Sequence, residues 1–318
     1  MKSTKKIHLK KYMKYLGALI VIMAFIFMLE KLKTIDLDYS IFFNKKNLTI
    51  FFLLACFNTM LIIISYIPWM KIISIFSNER IPHTTIIYIF SKSNILKYIP
   101  GNIFQYIGRN QLAFETNVKH TDLAFATIFD VGLLVLSSFL VSIFFLGEDA
   151  IHYIIQNGRI SYWVILLSIL ISIAFTLIAY RYREKVIESL RKYVGIINLK
   201  NFLKILFCIT YYLIYLMFFV GIYLIILVFI LKQEISFQLY LDLIGAFNLS
   251  WVIGFIAPGA PGGIGVREAV MTLIAGGLIS SEVIIISMVI FRFINLLADL
   301  GAFLIAYFII SLTKFYRN

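Results

Sequence analysis

The chain has 318 residues, 61% hydrophobic and 14% charged, with a mean hydropathy of +0.94 and a formal net charge of +13. A soluble domain is about 45–50% apolar and about 25% charged, so a single water-soluble core is excluded. The basic excess sits in short loops beside apolar runs, where Lys and Arg mark the cytoplasmic side and meet anionic lipid, and no nucleic-acid-binding motif accompanies it.

Several apolar runs exceed the roughly 18 residues that cross a bilayer core. The amino tail carries Lys2, Lys5, Lys6, Lys10, Lys11 and Lys14, which predicts a cytoplasmic start. Residues 15–29 form the first span. No small-x-small cleavage site follows it, only Glu30, Lys31 and Lys33, so it is expected to be retained. A second span covers 48–70, closed by Pro68-Trp69, with Trp69 as an interface anchor. The region 71–122 holds only a short apolar piece, 86–90, then polar Ser91-Lys92-Ser93-Asn94 and the break Pro100-Gly101. Spans three, four and five cover 123–147, 160–180 and 205–231. The stretch 181–204 between the last two reads as a cytoplasmic amphipathic loop, a linker or surface helix with Val186, Ile187, Leu190 and Val194 on one side. Residues 239–258 are apolar but contain Asp242 and Asn248. A second break at Pro258-Gly259 precedes a helical run, 264–279, and a last span, 283–312. The chain divides at 1–180, 181–204 and 205–318 within one integral membrane domain, a second repeat starting near residue 160.

Orientation follows from charge. If the region around Pro100 crossed fully, the loop with Arg181, Arg183, Lys185, Arg191, Lys192, Lys200 and Lys204 would lie outside and Glu148-Asp149 inside. Both placements oppose the positive-inside trend. A region that enters from the cytoplasm and returns satisfies it. The segment 239–279 must then begin and end outside, as an upside-down hairpin or as two crossings. Lys31, Lys33, Lys45 and Lys46 in the loop after span one run against the trend. The expected fold is an all-α polytopic membrane protein of about six full spans plus two Pro/Gly-broken re-entrant hairpins in an inverted repeat. Eight crossing helices with kinks at the prolines are the alternative. Both place the two termini in the cytoplasm and the chain in the cytoplasmic (inner) membrane.

The two breaks correspond. Pro100 and Pro258 each lie nine residues before an arginine, Arg109 and Arg267. Broken apolar segments at matching places in two halves point to a substrate site, because non-helical backbone at membrane depth needs protein or water around it. The run Pro258-Gly259-Ala260-Pro261-Gly262-Gly263-Ile264-Gly265 is not ordinary helix. Its bare N–H groups, the start of the next helix, and Arg267 together suit an anion such as phosphate. The alternative is a tight turn without ligand. Pro100-Gly101-Asn102 with Arg109 is a weaker copy. In the last span Arg292, Asn295 and Asp299 share a helix face. Arg292 should pair with Asp299, or with Asp130, Asp242 or Glu268 on a neighbouring helix. Either a structural ion pair or a headgroup pathway or proton relay fits these residues.

Cys56 and Cys208 lie in apolar runs without CxxC spacing and read as buried small hydrophobes. His8, His83, His120 and His152 fall in predicted loops and receive no role. No metal site and no cofactor is expected, and the absence of a Walker A motif argues against direct nucleotide hydrolysis.

Residues 258–269 (PGAPGGIGVREA), followed by Phe291-Arg292-Phe293-Ile294-Asn295, resemble the signature of the lysylphosphatidylglycerol synthase/flippase transmembrane family. Residues 96–109 resemble the family's amino-terminal motif. The resemblance implies a polytopic protein that moves lipids between leaflets. With six residues after Leu312, it implies a stand-alone flippase-like chain lacking the synthase half. Its cargo would be an anionic phospholipid or a polyprenyl-phosphate-linked lipid, and an envelope lipid or polysaccharide synthase is a candidate partner. In the family the first motif is followed by an acidic-arginine pair in the next span. Here that region reads Ala126-Thr127-Ile128-Phe129-Asp130, with one acid and no arginine. Three functions compete: a flippase without enzymatic activity, a polyprenyl-phosphate-dependent glycosyltransferase using Asp36-Leu37-Asp38 as a metal-holding pair, and a non-transporting partner of a synthase.

Overall fold

A computed structural model describes residues 44–98, 103–148, 198–257, 263 and 265–315. Every regular element among the described residues is helical. Expected spans one and four, most of the 181–204 loop, Asp36 and Asp38, His8 and His152 lie outside the described residues.

Helix α1 (Lys45–Ile64) starts at Asn44, whose side chain accepts from the Lys46 N–H at 3.1 Å. The ladder breaks at Ser65. Pro68 brings no N–H for the Ile64 carbonyl, and the Ser65 hydroxyl back-bonds to the Leu61 carbonyl at 2.6 Å. The chain continues as α2 (Tyr66–Phe76), so the second span runs beyond its expected end. Pro68 therefore lies in the first turn of a helix rather than closing one. Trp69 is no interface anchor: it is 0% exposed, and its indole N–H donates to the Thr127 hydroxyl at 3.0 Å.

Two short helices flank the first break. They are α3 (His83–Asn94), tightened into a 3-10 turn at Ile95–Tyr98, and α4 (Phe104–Leu112). At 1.5 Å per residue they are about 18 Å and about 14 Å long, too short to cross a bilayer core, and they pack on each other. Helix α5 (His120–Phe145) is span three. Helix α6 (Leu199–Ile225), capped by the Asn198 side chain on the Asn201 N–H at 2.9 Å, is span five and ends in a π turn, Ile226–Ile230. The end of the supposed amphipathic loop, from Leu199, thus belongs to a spanning helix. His83 and His120 open α3 and α5 rather than lying in loops, and Cys56 is exposed whereas Cys208 is buried.

Helix α7 (Phe237–Ile256) runs up to the second break, α8 (Val266–Ala275) follows it, and α9 (Ser281–Phe315) is the last span. Helices α7 and α8 pack on each other as α3 and α4 do. Among the described residues, five stretches are long and apolar enough to cross a membrane: Lys45–Phe76, His120–Phe145, Leu199–Ile230, Phe237–Ile256 and Ser281–Thr313. Four are expected spans. The fifth, α7, is the first arm of the second broken segment, and only its return arm, α8, is too short to cross.

Packing runs between the halves. Helix α1 lies on α9, α5 on α6 and α7, and α3 on α9. The contacts are close: a Cβ on Gly301 of α9 would lie 2.9 Å from the Thr59 hydroxyl of α1, and one on Gly245 of α7 would lie 2.7 Å from the Leu146 backbone at the end of α5. Tyr223, Phe219, Phe247 and Phe291 from α6, α7 and α9 interlock in the main core, with ring centroids 4.9–6.2 Å apart, Phe291 meeting the other three edge to face and Tyr223 tilted on Phe247.

Candidate functional site

The second break is shaped by residues that cannot carry helix. Ala257, held extended by the following proline, ends α7 with ψ 119°. Gly263 and Gly265 have φ of +72° and +85°, the left-handed region that favours glycine. The turn is then clamped. Glu268 accepts from the Gly265 N–H at 2.8 Å, and the Arg292 guanidinium reaches across from α9 to the same carboxylate at 2.6 and 3.0 Å and to the Gly263 carbonyl at 3.0 Å. The expected search of Arg292 for an acid thus ends at Glu268, not at Asp299, and the pair ties α8 to α9.

Arg267 stands beside this clamp. Its side chain passes between two glycines. A Cβ on Gly254 would sit 2.3 Å from its Cγ, and one on Gly263 would sit 2.8 Å from its Nε. The guanidinium lies 5.7 Å from the Trp251 ring centroid. Its Nε is buried and, among the described residues, has no hydrogen-bond partner and makes no ion pair with a carboxylate.

The first broken segment reaches the same place. Lys97 and Tyr98, on the 3-10 turn, both engage Asp299 of α9, at 2.6 and 2.7 Å, and the Asp299 side chain is fully buried. Arg109 is 3% exposed. It meets Asp130 of α5 at 3.3 Å, and its guanidinium lies 4.1 Å from the Phe90 ring, 5.1 Å from Trp69 and 5.5 Å from Tyr106. Asp130 also accepts from the Tyr212 hydroxyl of α6. Arg109 therefore fastens α4 into the body of the protein. An acid-arginine pair does form beside span three, but the arginine comes from the broken segment.

The two breaks meet through aromatic rings. Tyr106 of α4 packs edge-on against Phe255 of α7 at 6.1 Å. Tyr98 lies within electrostatic reach of Asp299, Arg292 and Arg267, and Tyr106 within reach of Arg109, Asp130 and Arg267. The result is a cluster of paired charges around one guanidinium without an acid of its own. Such an arrangement can take an anion through charge and bidentate hydrogen bonding.

Other expected positions fall elsewhere. Asp242 accepts from the Gly147 N–H at 2.8 Å and caps the end of α5. Asn248 accepts from the Ser138 hydroxyl at 3.1 Å and fastens α5 to α7. Asn295 accepts from the Asn58 side chain at 3.0 Å between α9 and α1. Pro100, Gly101, Pro258, Gly259 and Gly262 lie outside the described residues. Lys97, Tyr98, Tyr106, Tyr212, Trp251 and Gly254 join the site without having been picked from the sequence. Lys97 carried a readable signal, a lone charge three residues before the first break. Among the described residues no group of three His, Cys, Asp or Glu side chains could hold a metal ion.

The family described as lysylphosphatidylglycerol synthase TM region matches residues 108–302, well over half of the chain. The match includes Arg109, Asp130, Arg267, Glu268, Arg292 and Asp299, and leaves out Lys97 and Tyr98. No curated protein and no solved structure matches the chain.

Proposed function

The chain belongs to the lysylphosphatidylglycerol synthase transmembrane-region family, and on that premise we propose that it is a flippase carrying an anionic phospholipid or polyprenyl-phosphate lipid across the cytoplasmic membrane. The observation that carries this reading is the meeting of the two broken segments around Arg267. A lipid phosphate would be held by the Arg267 guanidinium and by the N–H groups of the first turn of α8, while its tails stay in the bilayer. The aromatic side chains Tyr98, Tyr106, Trp251 and Phe255 would keep water from the charge.

The same reading takes α3–α4 and α7–α8 as hairpins entering from opposite faces, with both termini cytoplasmic. Two observations support an inverted repeat. Each hairpin packs on the last span of the other half, α3 on α9 and α7 on α5. The second spans do likewise, α1 on α9 and α6 on α5. This exchange is what a two-fold relation between the halves produces. The length of α7 allows it to reach through the core before the chain turns back. A synthase that supplies the lipid is the expected partner, and no covalent chemistry is assigned to this chain.

The test is leaflet transfer of tail-labelled phosphatidylglycerol in proteoliposomes. Wild type should move it well above protein-free vesicles, and Arg267→Ala should slow it by about tenfold or more, in line with the loss of a charged hydrogen-bonding group. Equal rates for the two proteins would remove Arg267 from the mechanism.

A further inference from the structure

We infer that the site selects a headgroup bearing one negative charge, a phosphodiester, over a doubly charged phosphomonoester, and that Asp299 sets this count. The inference rests on the flippase reading and adds the cargo's charge class to it.

The junction holds three cations and two carboxylates among the described residues. Its cations are Lys97, Arg267 and Arg292, and its carboxylates are Glu268 and Asp299. Arg292 is satisfied by Glu268, and Lys97 by Asp299. Arg109 and Asp130 form a closed pair next door. The segments 99–102, 258–262 and 264 contain no Asp, Glu, Lys, Arg or His, and neither do the apolar runs 15–29 and 160–180. Among the described residues one positive charge is left, on Arg267.

An uncompensated charge at membrane depth is costly, whichever its sign. One phosphodiester brings the junction to neutrality. A phosphomonoester, about −1.5 to −2 near neutral pH, leaves it negative, beside the Asp299 and Glu268 carboxylates. Asp299 is the adjustable element. Its carboxylate is fully buried, one oxygen is held by Lys97 and Tyr98, and the other has no partner among the described residues. Asn at this position keeps the shape and an acceptor for Tyr98, but frees the Lys97 charge. The junction would then carry two spare positive charges and suit a dianion.

The experiment compares tail-labelled phosphatidylglycerol and phosphatidic acid in proteoliposomes at pH 8, for wild type and Asp299→Asn. Thermal stabilisation of the detergent-purified protein by the same two lipids is measured alongside. Wild type is expected to prefer phosphatidylglycerol by about a hundredfold, the order of penalty that one unpaired membrane charge imposes. Asp299→Asn is expected to erase or invert that ratio. A wild type that moves and binds both lipids alike overturns the inference. So does a variant that slows both in parallel, which is the mark of a merely structural residue. A wild type that moves neither lipid but is stabilised selectively by phosphatidylglycerol sinks the flippase reading and leaves the charge count standing. Relief of that stabilisation by soluble glycerophosphoglycerol would assign the phosphodiester to a water-borne ligand and overturn the lipid as its source.

Discussion

Gly254 and Gly263 let Arg267 lie where it does. A methyl group on Gly254 has no space except by moving the arginine, since it would fall 2.3 Å from Cγ and 3.1–3.2 Å from Nε and Cδ. Gly132 and Gly221, also helical, have open space at the same point. Alanine normally stabilises a helix interior over glycine by about 0.5–1 kcal/mol, whereas forced overpacking costs about 1–3 kcal/mol. Thermal unfolding in detergent should therefore show a gain for Gly132→Ala and Gly221→Ala and a loss for Gly254→Ala, with lipid transfer falling only in the last. A gain at all three positions would mean that Arg267 moves freely. At this scale the sequence was informative about which residues matter and silent about pairing. Arg267, Glu268 and Arg292 stood out because charges at membrane depth are rare. Helical spacing offered Arg292 an acid at Asp299, but the turn at Gly263 and Gly265 brings Glu268 nearer. Gly254 gave no signal, because its role depends on what passes beside it.

Helix α4 is nine residues long with few apolar positions, and nothing in its own composition would hold it in place. Arg109 does so, through Asp130 and three aromatic rings. Removing one partner of a buried pair leaves the other charge stranded, at about 3–5 kcal/mol. Replacing both with apolar groups can be nearly neutral. Arg109→Met is thus expected to lower stability sharply, and Arg109→Met with Asp130→Leu to recover most of it, as measured by a double-mutant cycle on thermal or denaturant unfolding. Additive losses would show that the two side chains act separately. Long apolar helices were legible from hydropathy, with ends misjudged by a few residues where polar side chains such as His120 and Lys200 join the first turn. The break at Ser65 and the short helices α3 and α4 were not, because a window wide enough to find a span averages over them. Trp69 misled for a related reason. A tryptophan at the end of an apolar run usually faces the interface, but here the helix continues and the ring becomes a wall for Arg109.

Among the described residues, helices of each half rest on helices of the other: α1 and α3 on α9, α6 and α7 on α5. The positions of the two breaks hinted at symmetry, but exchange between halves cannot be read from one chain's periodicity. Its effect is mechanical. Thr59 against Gly301 and the Leu146 backbone against Gly245 are seams with no slack, and they stitch the halves into one frame. A clam-shell opening along the boundary near residue 180 would have to tear both seams. On the flippase reading, access to alternate sides would come from α3–α4 and α8 shifting within this frame, which requires the Lys97–Asp299, Arg109–Asp130 and Arg292–Glu268 anchors to let go. A covalent crosslink between α1 and α9 should accordingly leave lipid transfer running at near its original rate, while one between α3 and α9 should stop it, each scored before and after reductive release.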